Sequence, residues 1–426
     1  MRPLSAATVP HRPARSRLRR AAAVLGVLLL ALQVPGTAIG HHGGRPVSSI
    51  LACDRPVTPP RCTSVGDDFR HNVAFDASLT APLREAMRGA MTNAYGPTRL
   101  VMIEQAEVTP TTDVIAFSAD YGENGAAGWV YCPSDSPQGL NTQGHRWCRH
   151  QELHLNVNAR YGLFFDDAAS RAHVACHELG HTLGLRHWGN PPETDSPVGA
   201  TCMNANTPNG PTTLHETDID HINAYPYKVW PKHYRLEIVR APGADATTAS
   251  TGGASIDASQ VETPTSLDAL IATSDAVVRG RVVDVAEGRR FGSATYALHY
   301  ASVTVRVDEL LGGALAPASA RSLTLEIPLF DGPQTLPALR AAMLDTERLL
   351  FLRNKGTSAR EAGLDARAQA AEAVYFRLVT FGSEVIEADG LASVPPDDAD
   401  VLGSFAGRPF GEALASLRAL ASPRSR

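Results

Sequence analysis

The chain has 426 residues, 43% hydrophobic and 19% charged, with a formal net charge of −5. That length supplies two or three globular units, each with its own core. A mildly acidic chain has no electrostatic footprint for polyanions, so no nucleic-acid partner is expected.

The first forty residues hold six arginines and no acid, then an apolar run from Ala21 to Leu32, then Ala38-Ile39-Gly40. This reads as a signal peptide over residues 1–40. The run is shorter than the ~20 apolar residues that cross a bilayer, so no stable membrane insertion is expected after its removal. Losing six positive charges from −5 would leave −11 on a secreted, extracellular chain. Six cysteines, all between positions 53 and 202, fit an oxidising compartment. Sequence order suggests Cys53 with Cys62, Cys132 with Cys148 and Cys176 with Cys202, among fifteen formal pairings.

After a short segment at 41–66, Pro82 to Tyr95 reads as a first helix. DVIAFSAD (113–120), GWVYC (128–132) and ELHLNVN (152–158) read as strands. His145, His150 and His154 have no carboxylate in a recognisable pattern with them and read as surface or loop residues.

Residues 177–187 read HELGHTLGLRH. On a helix, residues four apart share a face, so His177 and His181 can aim two imidazoles at one point, which suits a metal ion. Glu178 lies beside them, close enough to face the same centre without being an obvious ligand, where a general base belongs. Gly184 can take the left-handed conformation that ends a helix and turns the chain, so that His187 returns to the same point. Ala172, Ala175, Cys176, Leu179 and Leu183 form the buried stripe of this helix, Asp166 and Asp167 can cap its first turn, and the histidine face should look into a cleft.

The string matches every fixed position of HExxHxxGxxH and so resembles the zinc signature of the metzincin metallopeptidases. The resemblance implies one catalytic Zn²⁺ held by His177, His181 and His187, with Glu178 as catalytic base and Gly184 as the turn. It also implies a Met-turn, for which Met203 in ATCMNAN is the matching residue. TTLHETDIDHINAYP resembles the closing helix of matrixin-type catalytic domains, with Thr213 and Glu216 as a capping box, Ile219, Ile222 and Tyr225 as an apolar face, and Pro226 as the stop. The implied substrate lies extended along a sheet edge at about Ala127 to Cys132. Pro60-Arg61-Cys62 echoes the start of the matrixin cysteine switch, but the residues after it depart from that pattern and Cys53 stands ready as a partner. The resemblance spans residues 67–242, and the sequence gives no indication of calcium.

Residues 243–266, rich in Ala, Ser, Thr and Gly, read as a flexible linker. Beyond them AVVRGRVVDV, YASVTVRVDEL, SLTLEIPLF, ERLLFLR and AVYFRLVTF read as strands, so 267–426 should form a small β-rich barrel or sandwich of unknown role, with some likeness to OB-type barrels. The expected fold is therefore α+β: a zincin-like catalytic domain, with a twisted mixed sheet, an active-site helix and a closing helix, followed by a smaller β-rich domain. The expected function is a secreted zinc-dependent endopeptidase acting on protein or peptide substrates, in which zinc lowers the pKa of water to about 7 and Glu178 takes its proton. Two alternatives stand beside it: an accessory binding protein with a structural zinc site, and a zinc hydrolase acting on cell-wall peptides. Substrate preference and oligomeric state are not encoded legibly.

Overall fold

The computed structural model describes residues 66, 69–133, 136–140, 146–185, 187, 201–204, 208–224, 256–260, 262, 264–293, 296–330, 335–395 and 399–421. The expected signal peptide, Cys53 and Cys62, Tyr225 and Pro226, His145 and much of the stretch read as a linker lie outside them. All described residues belong to one compact unit, His42–Arg426.

The N-terminal part runs β1 (Arg70–Phe75), α1 (Ala81–Gly89), β2 (Val101–Gln105), β3 (Val114–Ala119), β4 (Ala126–Tyr131), β5 (Gln138–Leu140), β6 (Arg146–Cys148), β7 (Gln151–Asn156), α2 (Ala168–Thr182) and α3 (Glu216–Ala224). A six-stranded mixed sheet has the order β2-β1-β3-β7-β4-β8, where β8 is Ile256–Gln260. Its first four strands are parallel, while β4 runs antiparallel to β7 and to β8. β8 falls inside the stretch read as a linker and covers the outer edge of β4. The three strands expected at 113–120, 128–132 and 152–158 are β3, β4 and β7, because short runs rich in apolar, β-branched and aromatic residues read as buried strands. The helix expected over 82–95 begins as α1 and finishes as a π-helical turn, Ala90–Ala94.

One face of the sheet carries both long helices. Leu83 and Met87 of α1 and Val174, Ala175 and Leu179 of α2 pack on Val73, Val114, Leu153 and Leu155. Disulfides join Cys132 to Cys148 and Cys176 to Cys202, each with Cα atoms 5.9 Å apart.

The C-terminal part contains α4 (Leu267–Thr273), β9 (Ala276–Gly292), β10 (Ala297–Gly313), β11 (Ser322–Leu329), α5 (Leu336–Met343), β12 (Glu347–Asn354), α6 (Lys355–Glu361), α7 (Ala366–Glu372), β13 (Tyr375–Leu378), β14 (Glu384–Ala388), β15 (Leu391–Ser393), α8 (Ala399–Leu402) and α9 (Phe410–Ala421). These strands form a second mixed sheet, in which β13 pairs with both β11 and β12 and so closes a five-stranded ring, β9-β10-β11-β13-β12. Val278, Val285, Val303, Val305 and Leu325 fill it. The five strands read from sequence are the five of the ring. The helices went unread, including α9, whose Ala413, Leu414 and Leu417 are a helix-spaced buried face.

This ring rests on the opposite face of the first sheet, where Tyr121, Trp129 and Tyr131 meet Leu298, Tyr300 and Phe330. The Tyr300 hydroxyl donates to the Tyr121 carbonyl at 2.8 Å, and Arg377 donates to Glu123 at 2.6 Å. His154 belongs here, which corrects its reading as a surface residue: it is fully buried, stacked on Phe117 and Trp129 at 4.9 and 5.0 Å between ring centroids. Alternation along β7 sends Leu153 and Leu155 to the helices and His154 to the back face, and only the distant C-terminal part makes that face interior.

Burial holds His154 neutral, below its ordinary pKa, against the opposing pull of Glu152 at 3.0 Å. An unfolded histidine titrates near 6.5, so as pH falls below that value the unfolded chain takes up a proton the folded chain refuses, and stability drops. The urea midpoint should therefore fall between pH 7 and pH 5, and less steeply in His154→Phe; equal slopes would show that His154 is not the group responsible.

Candidate metal centre

α2 places His177 and His181 on one side. The Asp167 carboxylate accepts from the backbone N–H groups of Ala169 and Ser170 at 2.8 and 2.9 Å, an N-cap that starts the helix at Ala168. At the far end the Leu185 N–H bonds the Gly180 carbonyl and the Gly184 N–H bonds that of His181, both at 3.0 Å. With Gly184 at φ 81°, this is the six-to-one and five-to-two pattern that closes a helix on a left-handed glycine. Gln151 donates to the Thr182 carbonyl at 2.8 Å, and His71 meets the Thr182 hydroxyl at the same distance, tying the last turn to β7 and β1.

The turn brings His187 back to the helix. The Nε2 atom of His181 lies 2.9 Å from that of His177 and 3.1 Å from that of His187. A tetrahedral ion with the usual zinc–nitrogen bond length sets neighbouring nitrogens about 3.3 Å apart, close to this spacing. The ligand atoms of the three lie within 4.8 Å of one another, and among the described residues this is the group that can hold a metal ion.

The hydrogen bonds on the other ring nitrogens test whether a cation fits. His177 Nδ1 lies 2.7 Å from the Cys202 carbonyl, and His181 Nδ1 lies 2.8 Å from the Leu185 carbonyl. A carbonyl oxygen only accepts, so both Nδ1 atoms carry the proton and both Nε2 atoms present lone pairs. Burial keeps the rings neutral: His181 is pushed down to about 4, and His177 well below its ordinary range by burial and by the neighbouring histidines. Facing lone pairs at 2.9 Å repel unless a cation lies between them. The donor set fits zinc, with the Cys202 and Leu185 carbonyls orienting two of the rings.

Glu178 is fully buried, and its carboxylate lies against the backbone of β4: a Cβ on Gly128 would sit 2.5 Å from Oε1. Gly180 performs the same service on the underside of α2, where a Cβ would lie 2.3 Å from Met203 Sδ and 3.0 Å from the Tyr95 hydroxyl. Met203 is thus packed against Gly180 in the last turn of α2 and belongs to the core beneath it. Its loop is fixed three ways, by the Cys176–Cys202 disulfide, by the Cys202 N–H on the Thr213 carbonyl at 2.8 Å, and by the Thr201 hydroxyl on Asp218 at 2.6 Å.

Two expectations change. Among the described residues the histidine face does not look into an open cleft: every residue from His173 to Thr182 is buried, with β4 packed against Glu178 and the Met203 loop against Gly180. The α3 cap is not Thr213 with Glu216; Asp218 reaches back to the His215 N–H at 3.2 Å while holding Thr201, so the cap doubles as a brace for the Met203 loop. His173, one turn before His177, bonds the Pro211 carbonyl at 2.7 Å. Gly128 and Gly180 escaped the sequence reading, although a glycine inside the strand pattern GWVYC is itself a sign of close approach by another group.

No protein-family model matches the chain, and no curated protein does. Among solved structures it is similar to high choriolytic enzyme 1, a hatching enzyme zinc-protease from Oryzias latipes (Medaka fish), with 15% identity and a TM-score of 0.22 over 36% of this chain and 87% of that one. A likeness of that size carries no argument, so the functional reading stands on the site itself. No helix among the described residues is long and apolar enough to cross a membrane.

Gly180→Ala should cost about 1–3 kcal/mol by overpacking. Measured by urea unfolding, that cost should shrink in a Met203→Ala background; a cost that does not depend on residue 203 would contradict the packing described.

Proposed function

We propose that the chain is a secreted zinc endopeptidase of the metzincin type, with residues 67–242 as catalytic domain and 267–426 as a β-rich accessory domain. The observation that carries this reading is the convergence of three imidazole Nε2 atoms, two of them, on His177 and His181, with the other ring nitrogen committed to a carbonyl, beside a buried carboxylate that is not one of them. A purely structural site closes its fourth position with another protein ligand and has no use for Glu178.

When bound, zinc would supply a Lewis acid that polarises a carbonyl and acidifies water. His177, His181 and His187 would hold it through Nε2. The Nδ1 bonds to Cys202 and Leu185 keep the His177 and His181 rings in the right tautomer and orientation. Gly184 supplies the turn that delivers His187, and Met203 supports the helix from beneath. The Glu178 carboxylate takes the proton of the attacking water and returns it to the amine nitrogen as the peptide C–N bond breaks. Gly128 leaves it the room to do so. Substrates would be protein or peptide chains bound extended along β4; the disulfides fit an extracellular setting.

Glu178→Ala and Gly128→Ala should both retain one zinc per chain by elemental analysis. Cleavage of casein should fall by about 10²–10⁴-fold in the first, which loses the base, and measurably in the second, which displaces it. Cleavage of cell-wall peptides by the parent, with casein untouched, would replace the substrate class; no hydrolysis of either by the zinc-loaded parent would favour a binding protein.

A further inference from the structure

The edge of β4 that an extended peptide would need is taken by the chain itself. β8 runs antiparallel to β4, with Ile256 opposite Tyr131, Asp257 opposite Val130, Ala258 opposite Trp129, Ser259 opposite Gly128 and Gln260 opposite Ala126. Strand addition satisfies the N–H and C=O groups of an edge through main-chain bonds, and one edge accepts one strand.

The position of β8 is as telling as its direction. Gly128 is the residue against which the Glu178 carboxylate lies, and Ser259 is its partner in register. Adjacent strands are about 4.8 Å apart, so the backbone at Ser259 passes one strand spacing from the residue beneath the proposed base. α2 packs against β8 as well as against β4. β8 therefore follows the line that a peptide must take to bring a carbonyl to Glu178.

Two residues beyond β8 the chain is pinned. The Glu262 carboxylate meets Arg377 at 2.7 Å, Arg160 at 3.2 Å and Arg353 at 3.7 Å, and its side chain is only 9% exposed. Arg160 comes from the N-terminal part, while Arg353 and Arg377 lie on β12 and β13. The clamp thus fastens the end of β8 where the two sheets meet, and the ring packed on the back face holds it in register with β4.

We propose that residues 256–260 are a tethered competitor for the substrate edge, so that the chain cleaves peptides at a raised KM until this strand leaves β4. The proposal rests on the peptidase reading of the metal centre. A tether of this kind acts at an effective concentration of order millimolar, enough for a short strand of modest intrinsic affinity to exclude dilute substrates.

Backbone N–H groups of an edge strand point alternately to the neighbour and to solvent, so prolines at two adjacent positions remove a bond to β4 whichever phase applies. The test uses the full chain, its Asp257→Pro/Ala258→Pro variant and a milder Glu262→Gln variant, all zinc-loaded. KM and kcat are measured on a quenched-fluorescent peptide from casein, and binding of a labelled peptide with the sequence of residues 254–260 is followed by anisotropy. The expected result is a KM at least about tenfold lower in the proline variant with kcat little changed, a smaller shift in the same direction for Glu262→Gln, and labelled peptide bound by the proline variant but not by the parent. Equal KM and equal peptide binding in all three would overturn the proposal. Peptide binding confined to the variants, with no cleavage by any of them, would leave the occluded edge standing and remove the peptidase reading.

Discussion

Three imidazoles converge on one point, and the chain spends much of its local structure on gathering them. Two come from one helical face at a spacing of four. The third arrives because α2 ends on Gly184 in a left-handed turn that reverses the chain within six residues. The Leu185 carbonyl exposed by that same turn orients His181, and the Cys202 carbonyl, covalently tied to α2 through Cys176, orients His177. Helix ending, disulfide and ligand tautomer are therefore one coupled arrangement.

The contacts that aim Glu178 are of a different kind. Gly128 and Gly180 are places where the absence of a side chain lets another group approach backbone, the carboxylate in one case and Met203 in the other. Asp218 links the closing helix to the Met203 loop, so α3, which contributes no ligand, still braces the platform on which His177 is held.

Much of the site was legible in the sequence because its information is local. The spacing of His177, His181 and His187, the glycine before the last of them, the Asp167 cap and the short apolar runs of β3, β4 and β7 are each patterns contained within a few residues. What was not legible depends on segments far apart in the chain. His154 looks like any polar strand residue until the C-terminal ring covers its face, and the histidine side of α2 looks exposed until β4 packs against Glu178 and the Met203 loop against Gly180. The cap of α3 falls at His215 and not at Thr213, and Asp218, which bonds back to it, has a second partner, Thr201, that no local pattern reveals. The pairing of β8 with β4 joins residues more than a hundred positions apart, in a stretch whose composition reads as linker.

The central claim is that these three histidines hold one ion and leave it a position for water. X-ray absorption at the zinc edge, on the purified chain loaded with one equivalent, tests this most directly. The account predicts a first shell of nitrogen and oxygen at about 2.0–2.1 Å with imidazole scattering from three rings and no sulfur. A sulfur shell near 2.3 Å, or imidazole scattering from fewer than three rings, would contradict it.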